Sequence, residues 1–135
     1  MSISVILSDR RFSLDSKRLI SLAANVLKRE KASRNSLNIV YCSDSLMSKL
    51  NSRFMDRRGP TDVMAFELSE KNDHKFIGEV YVNLQQAKRQ ADEYEVSYQQ
   101  EVERLTVHGI LHLLGYSDVN VRERGKMWAR QESYL

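Results

Sequence analysis

Three side chains in the last third of the chain have the types and spacing to hold a metal ion. His108 and His112 are four residues apart. On a helix that spacing puts them one turn apart on the same side, so both imidazoles can reach one ion. Zinc suits neutral imidazole nitrogens, and two His at this spacing are a standard way of holding it. The same spacing also occurs on ordinary helices, so the surroundings have to carry the reading. From Leu105 to Leu114 the residues are apolar nearly all round, which predicts a buried helix. The two His interrupt that surface along one line. Glu101 and Arg104 continue the line toward the N-terminus, so it is expected to border a cleft. Gly115 follows the last apolar residue, where helices commonly stop in a left-handed conformation. Asp118 comes three residues later, placed to return to the same ion as a third ligand. Three protein ligands leave a position open for water, the mark of a catalytic site rather than a closed structural one.

Other candidates are weaker. A common zinc protease carries Glu directly after the first His, as general base. Here that residue is Gly109. The base must then come from elsewhere, or the metal itself must activate the attacking water. Glu79 is a candidate to orient water or a ligand, with an outward-facing strand residue as the equally weighted plain reading. Arg57 and Arg58, in the turn-rich segment Asp56 to Thr61, are placed to meet an anionic group. Cys42 lies in a strand-like run with nothing nearby in sequence to lower its pKa, so it is expected in the core. His74 falls in a polar stretch and is expected at the surface.

Positioning these groups requires a mixed fold. Residues 3–7, 37–42, 62–68 and 76–82 read as strands. Residues 16–30, 84–94, 98–114 and 120–131 read as helices, and Asp44 is placed to cap a further short one with Met47, Leu50 and Phe54 on its apolar face. The expected fold class is α/β (α+β): a small mixed sheet of about four strands packed with about five helices, with a zincin-like metal site on a buried helix. A strand–helix–strand start favours parallel pairing, and the polar stretch Ser69 to Lys75 suits a hairpin-like antiparallel connection.

At 135 residues the chain suits one domain with a real core. No run is apolar enough to span a membrane, and the short apolar N-terminal run lacks the features of a signal peptide. With a single cysteine, a cytoplasmic location is expected. Charge is uneven: residues 1–58 carry twelve Lys/Arg against five Asp/Glu, whereas residues 59–135 carry nine against thirteen. The basic half suits either an ordinary solvated face or a surface for a polyanion.

The segment from His108 to Tyr116 resembles the metal motif of the YbeY-type bacterial endoribonucleases, also called rRNA maturation factors. His108, Gly109, Leu111, His112, Leu113, Gly115 and Tyr116 all match it. Leu50-Asn51 followed by Pro60-Thr61-Asp62-Val63 and Phe66 is similar to the family's second signature, and Ile77-Gly78-Glu79-Val80 to its Gly-acidic strand. The resemblance covers nearly the whole chain. It implies one YbeY-type metal-dependent hydrolase domain over residues 1–135, with one catalytic zinc per chain. It also implies single-strand-specific RNA hydrolysis in late 16S rRNA maturation and small-subunit quality control. Ribosomal RNA and the small ribosomal subunit are then the expected partners, with no membrane and no DNA.

Two positions depart from the family pattern. The third ligand is most often His, and here it is Asp118. A carboxylate is a sound zinc ligand, but its charge weakens the Lewis acid and widens metal choice toward Mn2+ or Fe2+. Many members carry Arg after the aromatic at position 54, where this chain has Met55. The rival readings are a non-catalytic, metal-stabilised ribosome assembly factor, and a metal-dependent hydrolase of another substrate such as a peptide, which Gly109 argues against.

Overall fold

In the computed structural model, which describes residues 2–32, 36–68 and 77–135, the chain runs through four strands and five helices. In order these are β1 (Ser2–Leu7), α1 (Ser16–Arg29), β2 (Ser36–Cys42), α2 (Asp44–Met55), β3 (Val63–Glu67), β4 (Ile77–Asn83), α3 (Leu84–Tyr94), α4 (Tyr98–Leu113) and α5 (Val121–Glu132). Each expected element forms, with ends shifted by a residue or two. The stretch from Ser69 to Lys75, His74 included, lies outside the described residues.

The sheet has the order β1-β2-β4-β3. β1 pairs parallel with β2, β2 parallel with β4, and β3 antiparallel with β4. The sheet is therefore mixed, as the alternating pattern implied. The two central strands are the most buried, because they are covered on both faces. On one face Leu37, Ile39, Tyr41, Val80 and Val82 join residues of α1 and α4 in the main core. On the other, Cys42, Met64, Phe66 and Tyr81 pack with Met47 and Leu50 of α2. Burial pushes the Cys42 thiol up to about 12, so it is an inert core group.

One local expectation is corrected at α2. Its N-cap residue is Ser43, and Asp44 is the first helical residue. The Asp44 carboxylate instead accepts from Arg89 at 2.7 and 2.9 Å and from Asn83 Nδ2 at 2.8 Å. A long-range guanidinium outcompetes a local backbone N–H for a charged acceptor.

α4 is the central helix, packed on β3, β4, α1, α3 and α5. Its start is fixed by a capping box between Ser97 and Gln100. A methyl group added at Gly109 would lie 2.4 Å from Val80 Cγ1 and 2.7 Å from Val63 Cγ2. One added at Gly78 would lie 2.4 Å from Leu113 Cδ2. The helix backbone thus sits directly on the sheet between the two His. Any side chain at position 109 would crowd these two valines, so the smallest residue stands where the helix meets the sheet. Among the described residues, no helix is long and apolar enough to cross a membrane.

Candidate metal centre

α4 ends where its glycine says it should. Gly115 has φ 102°, its N–H donates to His112 O at 3.1 Å, and Tyr116 N–H donates to Leu111 O at 3.0 Å. This double closure turns the chain sharply back across the helix end. It brings Asp118 to the two imidazoles. His108, His112 and Asp118 each offer one ligand atom, and these atoms lie within 4.8 Å of one another. His112 Nε2 is 3.0 Å from His108 Nε2 and 3.5 Å from Asp118 Oδ2. The three residues expected from spacing are therefore neighbours in space.

The far side of each ring is committed. His108 Nδ1 is 2.6 Å from Gln131 Oε1, and His112 Nδ1 is 3.2 Å from the carbonyl oxygen of Tyr116. Both partners are acceptors, so each Nδ1 carries the proton and donates it. Gln131 is fixed in that sense, because its amide nitrogen donates to Glu132 Oε1 at 3.2 Å. Each Nε2 is then a bare lone pair, and the two face each other beside a carboxylate. Such an arrangement is repulsive when empty and relieved by a cation. Two neutral nitrogens and one carboxylate oxygen, with outer partners setting the tautomers, make a donor set that fits a divalent metal. Burial, aided by the neighbouring His112, pulls the His108 pKa below its ordinary value against the opposing pull of Gln131. That favours the neutral form that can ligate.

The group opens on a cleft of about 450 Å³ whose walls include Met55, Arg57, Met64, Gly109, His112 and Asp118. The Asp118 side chain is 53 % exposed, so the group is reachable from outside. Arg57 is placed by the loop after α2. Asn51 Nδ2 donates to Gly59 O at 3.0 Å, and Arg57 N–H donates to Asn51 O at 3.2 Å. Buried Asn83 holds the same loop from β4, through Thr61 O at 3.1 Å and its own N–H to Asp62 O at 2.8 Å. Arg58 is exposed and does not line the cleft. Met55, at the position where the resemblance leads one to expect Arg, does line it.

Three residues singled out in the sequence stand elsewhere. Glu79 projects from the sheet face opposite Val80, away from α4, and its carboxylate accepts from Tyr81 Oη at 3.3 Å. Glu101 and Arg104 do continue the line of the His, but they border a different cavity of about 1040 Å³ beside α1 and α5. Glu101 is buried and holds Arg104 and Gln90. The line of polar residues along α4 therefore crosses from one opening to another.

Sequence reasoning missed Gln131. The available signal was its position four residues after Met127 on the buried face of α5, where a polar side chain needs a partner.

Similarity to known proteins points the same way as the geometry. The family model described as Endoribonuclease YbeY matches residues 5–135. A protein of that name from Chloroherpeton thalassium is 34 % identical over 110 residues, 82 % of this chain and 77 % of that one. Another from Amoebophilus asiaticus is 32 % identical over 129 residues, covering 94 % and 86 %. A solution structure of a Thermotoga maritima protein superposes with a TM-score of 0.67 at 27 % identity, covering 98 % of this chain and 85 % of that one.

Proposed function

The chain belongs to the YbeY endoribonuclease family, and on that premise we propose that it hydrolyses phosphodiester bonds of single-stranded RNA with one divalent ion held by His108, His112 and Asp118. The observation that carries the reading is the pair of Nε2 atoms facing each other at 3.0 Å with both Nδ1 protons committed elsewhere. Zinc is the first choice of ion, and the carboxylate admits Mn2+ or Fe2+. Bound there, such an ion supplies Lewis acidity, which acidifies water and draws charge from a phosphoryl oxygen.

The chain's own residues supply the rest. His108 and His112 present fixed lone pairs on a rigid helix, so little reorganisation is needed when the ion and substrate arrive. Arg57, on the cleft wall, offsets phosphate charge and orients the strand. The open side of Asp118 gives the substrate its approach. No groove-reading motif is evident, which suits recognition of RNA shape and unpaired segments. From family membership we extend the proposal to late 16S rRNA maturation and small-subunit quality control in the cytoplasm, with residues 1–135 acting as one domain.

The test is cleavage of a single-stranded ribosomal RNA fragment by protein stripped of metal and reloaded with zinc. Reloading restores cleavage, and His112→Ala loses both metal and activity. Cleavage that survives His112→Ala or chelation belongs to a contaminant, and the enzyme reading falls. Stoichiometric metal without cleavage would instead leave the non-catalytic assembly factor standing.

A further inference from the structure

Behind the candidate metal centre a single carboxylate ties the end of α1 to two segments that are distant in sequence. Glu30 sits at the end of α1. The helix closes there with Lys31 at φ 59°, Lys31 N–H on Lys28 O at 3.2 Å and Ala32 N–H on Leu27 O at 2.7 Å, so the position of Glu30 is well defined. Its Oε1 accepts from the Tyr116 hydroxyl at 2.7 Å. Its Oε2 accepts from Arg130 Nε at 2.6 Å and from the Tyr134 hydroxyl. The side chain is only 9 % exposed. Charge-assisted bonds in so sheltered a place are strong and geometrically exacting.

The three donors matter for what lies beside them. Tyr116 is the residue whose carbonyl oxygen receives the His112 Nδ1 proton. Arg130 precedes Gln131, which receives the His108 Nδ1 proton. The acceptors that set both tautomers are therefore tied to one anchor, and that anchor touches neither imidazole.

We propose that Glu30 is a positioning residue for the metal centre, acting through Tyr116 and through α5 to hold the two His in ligating geometry. This rests on the reading that His108, His112 and Asp118 bind a divalent ion. Tyr116 thereby has a role of its own, because its hydroxyl fixes the backbone whose carbonyl orients His112.

The experiment uses the full chain and measures metal rather than activity alone. Zinc affinity is read by competition with a chelating dye, and ligand geometry by the visible absorption of the Co2+-loaded protein. Glu30→Gln and Tyr116→Phe are each expected to weaken zinc binding by about tenfold or more and to alter the Co2+ spectrum. The double variant should lose less than the sum of the two, since they act along one path. Arg18→Ala serves as the stability control, because it breaks the 2.5 Å Arg18–Glu103 pair elsewhere on α1. It should lower Tm without changing affinity or spectrum. Wild-type affinity and spectrum in Glu30→Gln overturn the proposal, as does a loss no larger than that of Arg18→Ala. If Glu30→Gln does not fold, Tyr116→Phe, which removes one hydroxyl, decides alone. A wild-type chain that binds no ion, or His112→Ala binding as well as wild type, sinks the metal reading itself and the Glu30 proposal with it. That pattern differs from an anchor that merely fails to matter.

Discussion

An imidazole that ligates a metal through one nitrogen carries its proton on the other, and an acceptor there can hold it in that form. Here Gln131 and the Tyr116 carbonyl do so for His108 and His112. Replacing Gln131 with Met keeps the bulk and removes the acceptor. His108 is then free to change tautomer, and zinc affinity measured by chelator competition should fall by about 10- to 100-fold. Asp118 tests the third position. Asp118→Ala should lose most of the bound metal, as metal analysis of the purified variant would show. Asp118→His should retain zinc while binding Mn2+ less well than wild type does, because imidazole nitrogen suits Mn2+ less than carboxylate oxygen. Equal Mn2+ binding in wild type and Asp118→His would mean that the carboxylate does not touch the ion. His108, His112 and Asp118 were legible in the sequence because helix periodicity and one glycine stop bring them together. Gln131 was not, since the bond it makes spans 23 residues.

At the scale of elements, the decisive contact is α4 lying directly on β3 and β4. Gly109 permits it, with Val80 and Val63 closing on the space a methyl would take. Gly109→Ala should destabilise the fold by about 1–3 kcal/mol through overpacking, seen as a lower urea midpoint. It should also weaken metal binding, to the extent that the crowding is relieved by lifting the His-bearing turn off the sheet rather than by a shift of the two valine side chains. Unchanged stability and affinity would show that the contact is looser than it looks. Helix and strand positions were largely readable from periodicity, including the mixed sheet. The cap of α2 was not, because Asp44 answers to Arg89, 45 residues away in sequence. Nor was the side of the sheet taken by Glu79. Strand periodicity says that Glu79 opposes Val80, but only the placement of α4 says which of the two faces the metal centre.

At the scale of the whole molecule, protonation is linked to folding, and so is binding of the proposed ion. His108 has a pKa below its ordinary 6.5 in the folded state. The folded chain therefore binds fewer protons there, and its stability is present above 6.5 and drains away as pH falls through the lower folded value. Glu30 is also held below its ordinary 4.5: burial pushes upward, but bonds from Tyr134, Tyr116 and Arg130 together outweigh it. Its contribution is present above 4.5 and is lost at more acid pH. Urea unfolding in chelator should accordingly show a decline below 6.5, which His108→Ala flattens, and a separate decline below 4.5, which Glu30→Gln flattens. A stability that does not change between neutral pH and pH 5 would contradict the burial of His108. Zinc at about 1,000 times its Kd should add about 4 kcal/mol to the unfolding free energy, and His112→Ala should abolish that gain.

What the sequence determined by itself is whatever depends on neighbours along the chain. This includes the alternation of elements, the His pair on one helical side, the glycine stop that returns Asp118, and the motif that the family shares. Tertiary structure alone decided what depends on residues that meet only after folding. It placed β4 inside the sheet and β3 at its edge, put Arg57 on the cleft wall, and sent Glu79 to the far face. It also gave His108 and His112 their outer partners and tied those partners to Glu30 across 86 and 100 residues. The physical reason is the same in each case. Spacing fixes the direction of a side chain relative to its own helix or strand, whereas a buried polar group takes the partner that packing delivers.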